Sequence, residues 1–502
     1  MLASVDSCVL VGLEARRVEV QADDGRGEAA FVLVGMAATS VKEARERVRS
    51  AIRNSRLQFP SRRLTVNLAP AELRKQGSGL DLPIAVAVAL AVLRKAPPPR
   101  SAFLGELALD GAVSHVDGVL VAARWLHRHG FERVFVPATD AAEAALVEGL
   151  EVIPCSHLAG VVAHLMGAEP IEPQPATHPA PQPGGESEHD LAEVYGQEEA
   201  RRALEVAAAG GHHLLLSGPP GAGKTMLARC LPGILPPLDL EEALEVAQVR
   251  SLLGDLSADR PLAWTRPFRA PHHGVSMAGL IGGGSGLALP GEISRAHHGV
   301  LFLDELAEFQ APVLQALRQP LETGRVSITR SGGSVAYPAR FTLVAATNPC
   351  PCGWAGDTRR SCRCTPAMVD AYQRRLSGPL LDRIDLKVGV RRVPLQALAS
   401  EPKGEASAPV RERVLAARNR QLERQACLNA QLNPAALRRI AGLDTASRQT
   451  LERWSEQRGL TARGFHRAWR VALTSADLEA TDRIAERHVL EALGYRLNDA
   501  AA

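Results

Sequence analysis

Gly218-Pro-Pro-Gly-Ala-Gly-Lys-Thr225 has the residue types and spacing of a loop that grips phosphate, G-x-x-x-x-G-K-[ST]. Gly218, Gly221 and Gly223 let the chain around Pro219, Pro220 and Ala222 bend so that N–H groups turn inward toward phosphate oxygens. The apolar run at 213–216 precedes the loop, and a helical run starting at Met226 follows it. That context adds the positive N-terminus of a helix to the cradle. Lys224 is then placed to reach the β and γ phosphates of ATP, and Thr225 to offer its hydroxyl to Mg²⁺.

Two further runs end in groups that complete such a site. Gly299-Val-Leu-Phe-Leu-Asp-Glu305 is an apolar strand whose acids emerge at its C-terminal end, where ligands bind in open α/β sheets. Asp304 is expected to hold Mg²⁺, through water. Glu305 is expected to orient and deprotonate the attacking water, because phosphoryl transfer is mostly positioning and charge neutralisation. Phe341-Thr-Leu-Val-Ala-Ala-Thr-Asn348 ends in an amide that can hold the same water beside the γ-phosphate.

These three strands predict parallel β/α layering over residues 191–393. Upstream, residues 1–168 alternate strand-like runs (17–20, 30–35, 63–68) with helical ones (41–55, 82–93, 119–129), a mixed α/β domain. Residues 169–190 carry six prolines and almost no apolar side chains, and read as a semi-extended linker. Residues 394–502 are mostly helical, with helices expected at 408–427, 433–441, 446–458, 462–479 and 485–493.

The net charge of +3 does not by itself argue for a polyanion partner, so any nucleic-acid surface must come from local clustering. The longest apolar stretch, 82–93, is far short of the ~20 residues a membrane span needs. No basic start precedes an apolar run at the N-terminus, so no signal peptide is read. Eight cysteines without export signals fit a reducing cytoplasm. Four of them form two C-x-C pairs, Cys350/Cys352 and Cys362/Cys364. Four thiolates on one loop can form a tetrahedral Zn²⁺ site, and the residues between the pairs cannot pack a core of their own. Free thiols or an unstable disulfide pair are the alternative. Arg359, Arg360 and Arg363 make this loop basic, suited to DNA phosphates or simply solvated.

The trio GPPGAGKT, LFLDE and VAATN resembles an AAA+ ATPase module. The runs RAPHHGVSMAGLIGGG (269–284), PGEISRAHHGVLFLDELAEF (290–309), LRQPLE (317–322) and NPCPCG (348–353) resemble its magnesium-chelatase-like branch and the ComM/YifB subfamily. That resemblance implies a homo-oligomeric ring, usually a hexamer, with ATP between subunits. Arg383 in Gly378-Pro-Leu-Leu-Asp-Arg-Ile-Asp385 matches the arginine finger that neutralises γ-phosphoryl charge across the subunit boundary. The alternative is an internal ion pair with Asp382 or Asp385. Arg463 matches the sensor-2 arginine of the helical lid, expected to touch the nucleotide of its own subunit. Tyr195 and Gln197 match an adenine-side box.

Residues 324–341 alternate apolar and polar side chains around Ser331-Gly-Gly-Ser334 and read as a β-hairpin. The resemblance implies that such a hairpin grips nucleic acid in the ring channel, with Arg330 beside the turn and Arg325 nearer the base as candidate DNA contacts. Both could equally be edge charges that discourage strand pairing. The N-terminal domain resembles the Lon-type protease domain through KQGSGLDLP (75–83) and GELALDG (105–111). The position of that family's catalytic lysine falls within the apolar residues 119–122, and its serine position falls on Gly79, with Ser78 out of register. Without an amine base near a hydroxyl there is no activated nucleophile. The expectation is a proteolytically inactive Lon-like domain. The whole resemblance implies an ATP-driven helicase or translocase that promotes branch migration during recombination of transforming DNA. A chelatase-type motor or protein remodeller is the alternative.

Overall fold

The computed structural model describes residues 2–25, 27–35, 39–73, 75, 78–176, 188–257, 261–284, 288–330, 333–357, 360–376, 378–393 and 404–496. The N-terminal region is built on a mixed sheet. Its strands are β1 (Leu2–Val11), β2 (Glu14–Asp24), β3 (Ala30–Val34), β4 (Arg63–Ala69), β5 (Ser101–Phe103), β6 (Arg133–Pro137) and β7 (Glu151–Cys155). They run in the order β3-β4-β2-β1-β5-β6-β7. β1 pairs antiparallel with β2 and β2 with β4, and the other pairings are parallel.

The expected strands fall on β2, β3 and β4, and the expected helices on Thr39–Asn54, Asp81–Leu93 and Val119–Arg128. β1 escapes a periodicity reading because Ser7, which is buried, stands where the alternation of Ala3, Val5 and Val9 calls for an apolar side chain. The apolar stretch in Asp81–Leu93 is a core helix, with Leu82, Ile84, Val86, Val88 and Leu90 all buried. Among the described residues no helix is long and apolar enough to cross a membrane.

Residues 177–187 of the expected linker lie outside the described residues, but both of its ends are pinned. Ile171 packs against the N-terminal core, and Gln174 donates its N–H to the Val152 carbonyl at 2.8 Å. At the other end Asp190 caps a short 3₁₀ turn, Leu191–Glu193, and accepts from the Ser407 N–H at 3.1 Å. The chain does not run from this turn straight into a helix. Gly196 and Gln197 take left-handed backbone (φ 59° and 56°), and the helix starts only after them, as Glu198–Gly210.

The second sheet has strands β8 (Leu214–Ser217), β9 (Phe268–Arg269), β10 (Val300–Leu303), β13 (Thr342–Thr347) and β14 (Leu386–Gly389). The intervening β11 (Arg325–Arg330) and β12 (Gly333–Pro338) form the separate expected hairpin, Arg325 opposite Pro338 and Arg330 opposite Gly333. The five-stranded order is β9-β10-β13-β8-β14, and every pairing is parallel. The residues following β8, β10 and β13 therefore emerge at one sheet edge. That is the geometry the three motifs require. Leu216 on β8, which is flanked by β13 and β14, is fully buried. Leu216→Ala should lower stability by about 2–5 kcal/mol in denaturant melts. A loss below ~1 kcal/mol would show that this strand is not packed as described.

The C-terminal helices are Ser407–Gln425, Pro434–Ile440, Thr445–Arg458, Ala462–Leu478 and Glu486–Gly494. They share one apolar core with the helix Glu198–Gly210 and strand β8. Residues 394–403 lie outside the described residues. The N-terminal region also docks on the domain built around the second sheet. Leu120, Ala123 and Leu126 pack with Leu238, Ala243 and Val246, and Arg124 Nη2 donates to Glu241 Oε2 at 2.6 Å.

Candidate functional site

Ser217 ends β8, and the chain turns through Gly218 directly against the Val390 carbonyl, where a side chain would collide. Gly221 and Gly223 take left-handed φ of 73° and 93°, which opens the loop ahead of the helix Lys224–Ile234. The pocket so formed, about 410 Å³, is lined by Pro220, Gly221, Ala222, Gly223, Lys224, Thr225 and Met226 of the loop and helix start. Asp304, Glu305, Thr347 and Asn348 close it from β10 and β13. The residues expected to act on ATP and Mg²⁺ from three distant stretches of sequence thus share one cavity.

Its polar groups are already engaged with one another. Thr225 Oγ1 donates to Asp304 Oδ2 at 2.8 Å, so hydroxyl and carboxylate flank one point, as an Mg²⁺ site requires. Oxygen donors of this kind suit a hard cation, and the fit is to Mg²⁺ with water completing its shell. Lys224 Nζ donates to the Gly218 and Pro219 carbonyls at 2.6 and 3.0 Å and to Asn348 Oδ1 at 3.0 Å. Burial pulls the Lys224 amine below its ordinary range, opposed by the Asp304 and Glu305 carboxylates. A triphosphate would bring the close counter-charge that the carbonyls cannot, and so favour the ammonium.

Glu305 follows Asp304 with left-handed backbone (φ 51°), and its N–H donates to Asp304 Oδ1 at 2.9 Å. That unusual conformation for a non-glycine residue fixes the carboxylate at the pocket mouth. His273 Nδ1 lies 3.4 Å from Glu305 Oε2. In the sequence His273 stands only within the run RAPHHGVSMAGLIGGG (269–284), with no role of its own. In the fold this segment returns to the Glu305 carboxylate, and the doublet His272-His273 is the signal the sequence offers.

Gln197 lies beside the loop. Its Nε2 donates to the Arg391 carbonyl and, at 3.5 Å, to the Ala222 carbonyl. Tyr195 is half-buried in the turn before it and does not line the pocket. Arg383 and Arg463 are elsewhere. Together with Glu322, Asp382, Arg467 and Arg470 they line a separate cavity of about 380 Å³ between core and lid. Arg383 Nη2 is ion-paired with Glu322, whereas Asp385 is held by Arg467 Nη1 at 2.9 Å and faces His212 Nδ1 at 3.3 Å. Arg463 is exposed on the first turn of Ala462–Leu478. Arg463 does not line the pocket of Lys224 and instead shares a cavity with Arg383. Sequence could not reveal this, because it depends on how the lid is seated.

The four cysteines of the 350–364 loop converge, all four sulfurs lying within 4.8 Å of one another. Cys350 Sγ is 3.4 Å from Cys352 Sγ and 3.6 Å from Cys362 Sγ, and Cys352 and Cys362 are 3.6 Å apart. Tetrahedral Zn–S bonds of about 2.3 Å place sulfurs roughly 3.8 Å apart, so the donor set and its spacing fit Zn²⁺. Arg360 is exposed, with its guanidinium 4.8 Å from the Trp354 ring centroid. Arg359 lies outside the described residues.

On the hairpin, Val326, Val335 and Tyr337 are buried while Arg325 is exposed. The apolar face packs against Leu10, Val11 and Leu13 at the β1–β2 turn and against Leu252.

The description "Subunit ChlI of Mg-chelatase" matches residues 18–140. "Magnesium chelatase, subunit ChlI" matches 190–398, and its C-terminal counterpart matches 404–496. Competence protein ComM of Haemophilus influenzae is 43% identical over 502 residues, 99% of this chain and 97% of the relative. Protein YifB of Escherichia coli is 42% identical over 503 residues with the same coverage. The magnesium-chelatase 38 kDa subunit of Rhodobacter capsulatus is 29% identical over 174 residues, 31% of this chain and 49% of that protein. The end-to-end matches and the shared pocket agree, and the chain belongs to the ComM/YifB family of magnesium-chelatase-like AAA+ ATPases.

Proposed function

We propose that this protein is a ring-forming, ATP-driven helicase or translocase that promotes branch migration of DNA during recombination of transforming DNA. The observation that carries the ring is the separation of Arg383 and Arg463 from the pocket of Lys224. Arg383, suited to a γ-phosphate but absent from the lining of its own chain's pocket, would complete a site when a second copy brings its phosphates to it. A hexamer is the assembly the family resemblance implies. The exposed Arg325, the Arg330 position at the hairpin tip and the basic cysteine loop are the groups we assign to DNA phosphates. The name of the Haemophilus relative, a competence protein, supports DNA uptake as the setting, and eight free cysteines suit the cytoplasm.

The N-terminal domain we read as Lon-like and without protease activity. Val119, Leu120, Val121 and Ala122, where a catalytic lysine would fall, are buried. The Ser78 hydroxyl donates to Glu106. The Lys75 amine is turned to the Pro70 and Leu73 carbonyls instead of to that hydroxyl. We read the cysteine cluster as a structural Zn²⁺ site.

The test is ATP turnover of the full chain with and without forked or four-way DNA, beside casein and porphyrin controls. DNA should raise turnover several-fold, with Lys224→Ala silent throughout. Stimulation by casein or porphyrin while DNA neither binds nor stimulates would favour a remodeller or a chelatase-type motor instead.

A further inference from the structure

The cysteine loop is wedged against the phosphate loop. Cys350 follows Asn348 by two residues, so the first thiolate and the amide that holds Lys224 share one turn. Gly353 is buried with φ +82°, and a Cβ there would sit 2.5 Å from Pro220 Cδ. The two loops touch where no side chain fits. Arg392, just beyond β14, ties them further. Its Nη2 donates to the Pro220 carbonyl at 3.3 Å, its Nε is 3.8 Å from Asp357 Oδ2, and its guanidinium lies 4.3 Å from the Trp354 ring centroid. Within the loop, the N–H groups of Ala355 and Cys364 donate to Cys350 Sγ and Cys362 Sγ at 3.3 and 3.4 Å.

The contacts of Gly353 with Pro220 and of Arg392 with Asp357 and Trp354 depend on the cysteine loop keeping its shape. The segment between the two cysteine pairs has Trp354 as its one large apolar side chain, too little to order it by burial. Four sulfurs this close repel as thiolates and bind one another only weakly as thiols, whereas a divalent soft ion at their centre holds them. Metal binding of this kind is folding free energy for the segment that carries the ligands.

We propose that Zn²⁺ bound by Cys350, Cys352, Cys362 and Cys364 is a prop for the phosphate loop, so that metal occupancy sets the affinity for ATP. The proposal rests on the Zn²⁺ reading above and adds the coupling to Pro220 and Asn348. It makes the cluster a control point for the motor rather than a surface ornament: a chain that has lost its metal keeps its fold but grips ATP poorly.

The experiment uses the full chain, a zinc-selective chelator that spares Mg²⁺, metal analysis, and a fluorescent non-hydrolysable ATP analogue. Zinc removal should weaken analogue binding about tenfold or more, a step of ~1.4 kcal/mol, and added Zn²⁺ should restore it. Arg392→Ala should keep its zinc and bind the analogue about fivefold more weakly. Zinc-depleted protein that retains its circular dichroism and binds as tightly as the loaded protein overturns the prop. Unchanged affinity in Arg392→Ala does the same if depletion unfolds the chain. Wild type isolated without zinc, and unaffected when zinc is added, overturns the metal reading with it. Loss of analogue binding in Lys224→Ala stands apart from all of these and speaks only to the ATP site.

Discussion

Glu305→Gln should bind ATP as the wild type does and hydrolyse it about 10²–10⁴-fold more slowly, the range expected when a positioned general base is removed. The substitution preserves shape and removes only the ability to take a proton. Lys224, Thr225 and Asp304, the residues assigned to the phosphates and Mg²⁺, are all retained, and the Thr225–Asp304 bond at 2.8 Å does not involve the Glu305 side chain. Glu305 is held at the pocket mouth by its left-handed backbone and by its N–H on Asp304, and the glutamine inherits both constraints. Geometry is thereby kept while chemistry is lost. The measurement is kcat beside the nucleotide Kd. Unchanged turnover would remove Glu305 as the base and direct attention to His273, 3.4 Å from its carboxylate.

Arg383→Ala should assemble and bind ATP yet lose about 10³-fold or more in turnover, the scale associated with an arginine finger. In the isolated chain this guanidinium is nearly buried and paired with Glu322, which itself stands just before the β11–β12 hairpin. Removing it leaves the subunit's own phosphate pocket untouched, because Arg383 lines a different cavity. Mixing Arg383→Ala with Lys224→Ala chains separates action in trans from action in cis. An inactive pair of variants should recover part of the activity, since a Lys224→Ala subunit can lend its intact Arg383 to the intact pocket of its neighbour. Absence of recovery in rings shown to be mixed would mean that Arg383 acts within its own chain.

Those two residues also mark how far a sequence can be read. Glu305 was legible because its neighbours in sequence are its neighbours in space: strand β10 delivers the acid pair, just as β8 delivers the phosphate loop. The sheet order then follows from parallel β/α layering, and the hairpin from its alternation of apolar and polar residues. What the sequence withholds is set by contacts between distant segments. The seat of the C-terminal helices decides that Arg463 shares a cavity with Arg383. The packing of Val335 and Tyr337 on the β1–β2 turn couples the hairpin to the N-terminal region through residues whose apolar character alone names no partner. Gly353 against Pro220 is a third case, a close approach that a lone glycine cannot announce. Strand β1 was missed for a local reason, its buried Ser7 breaking the expected alternation.

The claim beneath the rest is that the cavity shared by Lys224, Thr225, Asp304 and Asn348 is where Mg-ATP sits. Calorimetric titration of Mg-ATP into the full chain and into Lys224→Ala tests it most directly. Saturable binding by the wild type, with at most one nucleotide per chain, and none measurable in the variant is the predicted result. A variant that binds Mg-ATP with wild-type affinity and stoichiometry would contradict it, and would place the nucleotide somewhere other than this pocket.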